Sequence, residues 1–321
     1  MQVPLGEEEG DAVVDDVEWA GIYPAVLTMF TADGSLDEDT MEAHIDRLIG
    51  AGAHGLVVAG TSGEFISLDD AERRRVIEVS VRATRGRVPL IAGTGFASTR
   101  ATIDLTLEAA DLGADGAIVI LPYYLKPTVS ESVEHLRRVG KASPIPVMVY
   151  NNPANSGAAP LDATDLSQLY QEGAVSAVKS TFPTVHQVHE ARLETDAGFR
   201  VFYGSFMAPL EALAGGAHGW VSGILNVVTR DAVELYEAIA ASDLERARAA
   251  WRRILPFKYL YTRQPLGPVG DLVVYRAILR LRGQPAGYSR APLLELGGAQ
   301  IAELQRILEA DGLLAEDPSA A

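Results

Sequence analysis

The chain has 321 residues, close to half of them apolar, which is enough for one large α/β barrel or two smaller domains around a well-packed core. A net charge of −16 argues against a nucleic-acid or anionic-membrane surface, and with no cysteine there are no disulfides, zinc–thiolate sites or cysteine nucleophiles. Residues 1–19 carry acids and no cationic segment, so no secretory signal is read. No apolar run reaches the ~20 residues of a membrane span, and the expected location is cytoplasmic.

Short apolar runs then alternate with longer amphipathic ones. "GIYPAVLTMF", "GLVVAG", "VPLIAGTG", "GAIVILP", "IPVMVYN", "VSAVKS", "FRVFYG" and "GWVSG" are nearly continuous in apolar character, as parallel strands covered on both faces should be. Between them, "LDEDTMEAHIDRLIGAG", "LDDAERRRVIEVSVRAT", "STRATIDLTLEAADLGAD" and "SESVEHLRRVGKAS" read as helices, several opening on Ser, Thr or Asp caps and closing on Gly. Eight such units predict an α/β fold, a (β/α)8 TIM barrel; a doubly wound sheet is the alternative. Three more helical segments from residue 243 onward predict a C-terminal helical extension. The expected organisation is an acidic head (1–19), a barrel (20–242) and a helical region (243–321), with "AEDPSAA" as a disordered tail.

In such a barrel, catalytic groups stand at the C-terminal ends of strands. Strand two ends in "GTSGE", strand five in "YNNP" and strand six in Lys179, one of only four lysines. An amine beside a phenol (Tyr150) and two hydroxyls (Thr61, Ser62) suits imine chemistry on a 2-oxo acid such as pyruvate. Neutral lysine attacks the ketone, Tyr150 relays protons through Thr61, and Ser62 with the turn's N–H groups holds the carboxylate. The competing readings are a snorkelling lysine, tyrosines that fill barrel ends and an ordinary Gly-rich turn. His186 and His189 lack a third ligand, so no metal site is read. "GTGFAS" lacks the glycine and acid of a nicotinamide site.

"GTSGE", "LPYYLKP", "VYNNP", "VKS" and "GGAHGWVSGILN", in that order, resemble the dihydrodipicolinate synthase/N-acetylneuraminate lyase superfamily from about Gly21 to about Leu313. The resemblance implies that Lys179 is the imine lysine, Tyr150 the general acid/base, Thr61 the relay and Ser62 a carboxylate ligand. It also implies that Tyr124 is donated across a dimer interface, that Gly204 and Val221 line the pyruvyl pocket, and that Glu64 is structural. A homo-oligomer, usually a dimer of dimers, is implied, with small-molecule substrates and no metal or nucleotide cofactor. Asn155 stands where dihydrodipicolinate synthases carry the arginine that grips aspartate semialdehyde, and it cannot replace a bidentate cation. Trp220 and Phe182 fall near the pocket by the same resemblance, as walls of a larger acceptor site or as core. The expected activity is therefore a lyase or aldolase joining or cleaving pyruvate and an aldehyde. A dehydratase or deaminase of a longer 2-oxo acid is the alternative, and a true 4-hydroxy-tetrahydrodipicolinate synthase or a non-catalytic ligand-binding barrel ranks behind both.

Overall fold

The structure is a computed structural model that describes residues 17–314. The acidic head up to residue 16 and the tail "AEDPSAA" lie outside the described residues. Eight parallel strands form the sheet: β1 (Gly21–Pro24), β2 (Leu56–Val58), β3 (Leu90–Gly93), β4 (Gly116–Ile120), β5 (Val147–Asn151), β6 (Ala177–Ser180), β7 (Arg200–Tyr203) and β8 (Gly219–Ser222). They pair in the order β1-β8-β7-β6-β5-β4-β3-β2. A parallel bridge between Ala25 and Val57, with the Val26 N–H donating to the Val57 carbonyl at 2.8 Å, joins the two ends and closes the barrel.

The apolar strands supply two cores, because alternate side chains face opposite sides. Tyr23, Ile91, Ile118, Met148, Phe202 and Val221 fill the barrel, with Tyr23 and Phe202 edge-on at 5.1 Å between ring centroids. Trp19 joins this inner cluster, lying where any side chain at Gly116 would stand. Val119, Val149, Val178, Val201 and Trp220 point the other way, under the helices.

Those helices are α1 (Glu38–Gly50), α2 (Asp70–Thr84), α3 (Thr99–Asp111), α4 (Val129–Ala142), α5 (Pro153–Ser156), α6 (Ala163–Gln171), α7 (His186–Glu194), α8 (Pro209–Ala214) and α9 (Leu225–Ala240). Asp37, Asp69, Ser98 and Thr128 cap α1 to α4 by accepting the backbone N–H three residues on, which satisfies a donor that the helix start otherwise leaves free. Beyond them come α10 (Leu244–Thr262), α11 (Asp271–Leu281) and α12 (Gly298–Ala310). Ala250, Ile254 and Phe257 of α10 belong to the same core as the outer face of the barrel.

The first apolar run is shorter as a strand than its sequence suggests. The strand ends at Pro24, Ala25 and Val26 add only the backbone links to Ser222 and Val57, and beyond them side chains hold the buried chain at Leu27 and Thr28. Asn226 Oδ1 accepts from the Leu27 N–H at 3.3 Å, and Arg276 donates to the Thr28 carbonyl at 2.6 Å.

Candidate active site

The ladder between β5 and β6 pairs Tyr150 with Lys179, so both leave the sheet at one level and turn into the barrel mouth. Lys179 is 6% exposed, and its Nζ lies 3.9 Å from the centroid of the Tyr150 ring. Asn152 Nδ2 donates to the Tyr150 hydroxyl at 2.9 Å. Burial is the largest influence on Tyr150 and pushes its ionisation up. The Lys179 charge and hydrogen bonds from Asn152, Lys179 and Thr61 together outweigh it and hold the phenol below its ordinary value of 10.

Thr61 and Ser62 open a short 3-10 turn, Thr61–Gly63, directly after β2. As first residues of that turn they have backbone N–H groups without a partner inside it. The N–H groups of Gly63 and Glu64, by contrast, are taken by the Gly60 and Thr61 carbonyls. The carboxylate cradle therefore reduces to the Thr61–Ser62 end of "GTSGE". Ser62 faces Gly223 so closely that a Cβ there would lie 2.6 Å from Ser62 Oγ. Thr61, Ser62, Tyr150 and Lys179 line one cleft, with Val57 and Ile120 among its apolar walls.

Glu64 takes no part in that lining. It adopts a left-handed conformation (φ 53°) and turns away to an ion pair with the wholly buried Arg276 at 2.8 Å. The Arg290 N–H donates to its second oxygen at 2.9 Å. The C-terminal helix α11 thus anchors the turn that carries Thr61 and Ser62.

Gly204 follows β7, where the Lys179 stem passes. A Cβ there would meet Thr181 Oγ1 at 2.0 Å and Lys179 Cε at 3.0 Å, so only glycine leaves the amine its path. Val221 is fully buried in the inner barrel cluster, outside the cleft lining. Tyr124 is 92% exposed on the loop after β4, at φ 75°, and does not reach the cleft of its own chain. Asn155 is exposed on α5 and likewise outside the lining.

Trp220 does not shape an acceptor pocket. It points outward from β8 into the helix-covered core, where its Nε1–H donates to the Ser205 carbonyl at 2.9 Å. The half-buried Phe182 is also absent from the lining. His186 and His189 are exposed on α7, and His218 Nδ1 accepts the Val201 N–H at 2.9 Å as part of the frame.

Two residues of consequence have no role in the sequence reading. Asn152 stands two positions after Tyr150, and strand alternation places it on the same face, so its link to the phenol was available from spacing. Arg276 was marked only by being a cation inside "LVVYRAIL".

A model of the dihydrodipicolinate synthetase family matches residues 18–311. The chain is 36% identical over 300 residues to a 4-hydroxy-tetrahydrodipicolinate synthase of Methanopyrus kandleri, covering 92% of this chain and 97% of that one. It is 37% identical over 297 residues to an uncharacterized DapA-like lyase of Halobacterium salinarum, covering 92% and 94%. Among solved structures it is similar to YagE of E. coli K12, a prophage protein of the dihydrodipicolinic acid synthase family, in complex with pyruvate. That match has a TM-score of 0.85 and 30% identity, over 92% of this chain and 99% of that one.

Proposed function

This chain belongs to the dihydrodipicolinate synthetase family and is a lyase of the pyruvate-dependent aldolase type, and from that premise we propose that Lys179 forms an imine with pyruvate or a related 2-oxo acid. The observation that carries the reading is the buried pairing of Lys179 with Tyr150 at adjacent strand ends, on a cleft shared with Thr61 and Ser62.

Neutral Lys179 Nζ adds to the ketone carbon, and the carbinolamine loses water to give the iminium. Loss of a proton from the methyl carbon then gives the enamine, with the iminium nitrogen taking the electron pair. The enamine carbon attacks the aldehyde carbonyl, whose oxygen takes a proton relayed by Tyr150 and Thr61. Water hydrolyses the new imine and frees a 4-hydroxy-2-oxo acid, and cleavage runs the same steps backward. Ser62 and the first N–H groups of its turn receive the pyruvate carboxylate. Gly204 leaves room for the lysine stem, and Val221 closes the barrel beneath it.

The imine supplies the electron sink, so the scheme uses no metal or nucleotide. Tyr124, exposed on its loop, completes the relay of a neighbouring copy in a homo-oligomer, and the setting is cytoplasmic. The acceptor is an aldehyde without a carboxylate that demands an arginine, because Asn155 offers only neutral hydrogen bonds.

A second reading, 4-hydroxy-tetrahydrodipicolinate synthase, is favoured by the names of relatives such as that of Methanopyrus kandleri. A product assay separates the two. Pyruvate is incubated with aspartate semialdehyde and with neutral aldehydes, and the products are identified by mass. Adducts with neutral aldehydes alone support the first reading, whereas turnover of aspartate semialdehyde alone supports the second. Release of water or ammonia from a longer 2-oxo acid, with its carbon skeleton intact, would replace both with the dehydratase or deaminase.

A further inference from the structure

Asn152 occupies the position before α5 where an asparagine side chain ordinarily caps a helix by accepting a backbone N–H. It makes no such cap. Its backbone carbonyl takes the Ser156 hydroxyl at 2.9 Å, while its amide turns into the barrel and donates to the Tyr150 hydroxyl. The other end of the amide, Oδ1, is buried and has no hydrogen-bond partner among the described residues. Turning the amide over would only exchange the two ends and leave the nitrogen unpaired. A buried polar atom without a partner is costly, so its retention beside a reacting group points to a ligand that supplies one.

Asn152 is not itself among the residues that line the cleft, but it bonds to Tyr150, which is, and the strand geometry says where that ligand lies. Tyr150 and Lys179 are level in the ladder, and Asn152 stands two residues further toward the mouth, on the order of 7 Å along the strand. A 2-oxo acid held at Lys179 by its second carbon gains its new bond one carbon further on. The aldehyde-derived carbons therefore extend toward the mouth, where Asn152 sits. We propose that Asn152 holds the Tyr150 oxygen by one end of its amide and receives, at the other, a hydroxyl on the carbon next to the aldehyde carbon of the acceptor. The acceptor class is then the 2-hydroxyaldehydes. This assignment rests on the aldolase reading for its substrate half only.

Asn152 is a positioning residue on this account, and two variants separate its two ends. Asn152→Val removes both hydrogen bonds. Asn152→Asp keeps an acceptor for the substrate hydroxyl but cannot donate to the phenol, and its charge opposes ionisation there. The charged and polar groups that face Tyr150 are Lys179 from β6, Thr61 from the turn after β2, and Asn152 itself.

The first arm uses ligand-free protein labelled with 13Cζ-tyrosine, with the Tyr150 signal identified by its loss in Tyr150→Phe. The Tyr150 titration should rise by about one pH unit in both Asn152 variants, as expected for loss of a hydrogen bond to a charged group. An unmoved titration overturns the tyrosine half. The second arm compares glycolaldehyde with acetaldehyde, which differ by that one hydroxyl, as partners of pyruvate. Wild type and Asn152→Asp should favour glycolaldehyde by about tenfold in kcat/KM, and Asn152→Val should show near parity. No preference in wild type, or one that survives in Asn152→Val, overturns the substrate half. Borohydride trapping of pyruvate by the wild type is run alongside. Its failure sinks the aldolase reading together with the substrate half, while the titration still decides the tyrosine half.

Discussion

Glu64 and Arg276 stand 212 residues apart in sequence and meet in a buried ion pair of 2.8 Å. The pair ties α11 to the turn that carries Thr61 and Ser62, so a contact outside the cleft sets the geometry inside it. Removing one partner leaves the other charge buried and uncompensated. Arg276→Leu should therefore cost about 3–5 kcal/mol of stability, read from the urea midpoint. It should also weaken pyruvate binding more than a surface change such as Arg248→Ala. Unchanged stability would mean that the turn is held by other contacts.

Gly204→Ala should act locally. Its Cβ would collide with Thr181 Oγ1 and press on the Lys179 stem, so the amine must move from beside Tyr150. The rate of imine trapping should fall at least tenfold while the thermal midpoint changes little, since about 1.4 kcal/mol of misplacement is already a tenfold effect. Trapping at the wild-type rate would show that the lysine has a second path.

Tyr150→Phe keeps the ring beneath Lys179 and removes the proton carrier. Turnover should drop by about 10²–10⁴, the usual contribution of a placed acid/base, while prolonged incubation with pyruvate and borohydride still labels the protein. Steady-state rates set against endpoint labelling give the comparison. Equal turnover in both proteins would remove Tyr150 from the relay.

Acid should destabilise the fold before the carboxylates titrate. Burial lowers His135 to about 4, and burial with the nearby Arg192 and Arg200 charges lowers His218 to about 4, against 6.5 for a free ring. Between those values the unfolded chain binds protons that the folded chain does not. Stability is thus fully present above 6.5 and is lost as pH falls toward 4. Urea midpoints across that window should decline in the wild type. They should decline less in His218→Asn, which keeps an acceptor for the Val201 N–H and cannot titrate. Parallel declines would place the acid sensitivity elsewhere.

The barrel was legible because a parallel sheet covered on both faces leaves continuous apolar runs, and Lys179 and Tyr150 because they end neighbouring runs. The length of β1 was not, since the backbone links end within two residues of Pro24 while the apolar sequence continues as buried loop held by Asn226 and Arg276. Trp220 was left open between acceptor wall and core, and it lies in the core. It adjoins Val221, so if one enters the barrel the other must leave it. Tyr124 cannot be placed from a single chain, because the role implied for it lies in a neighbour. The Glu64–Arg276 pair joins segments too distant for any local pattern to connect.

The central claim is that Lys179 is a nucleophile, and the most direct test is borohydride reduction with pyruvate, followed by intact mass and peptide mapping. The account predicts one adduct per chain, on the peptide that holds Lys179, and none in Lys179→Ala. An adduct on another lysine, or none with any 2-oxo acid in well-folded protein, would contradict it and leave Lys179 a buried cation.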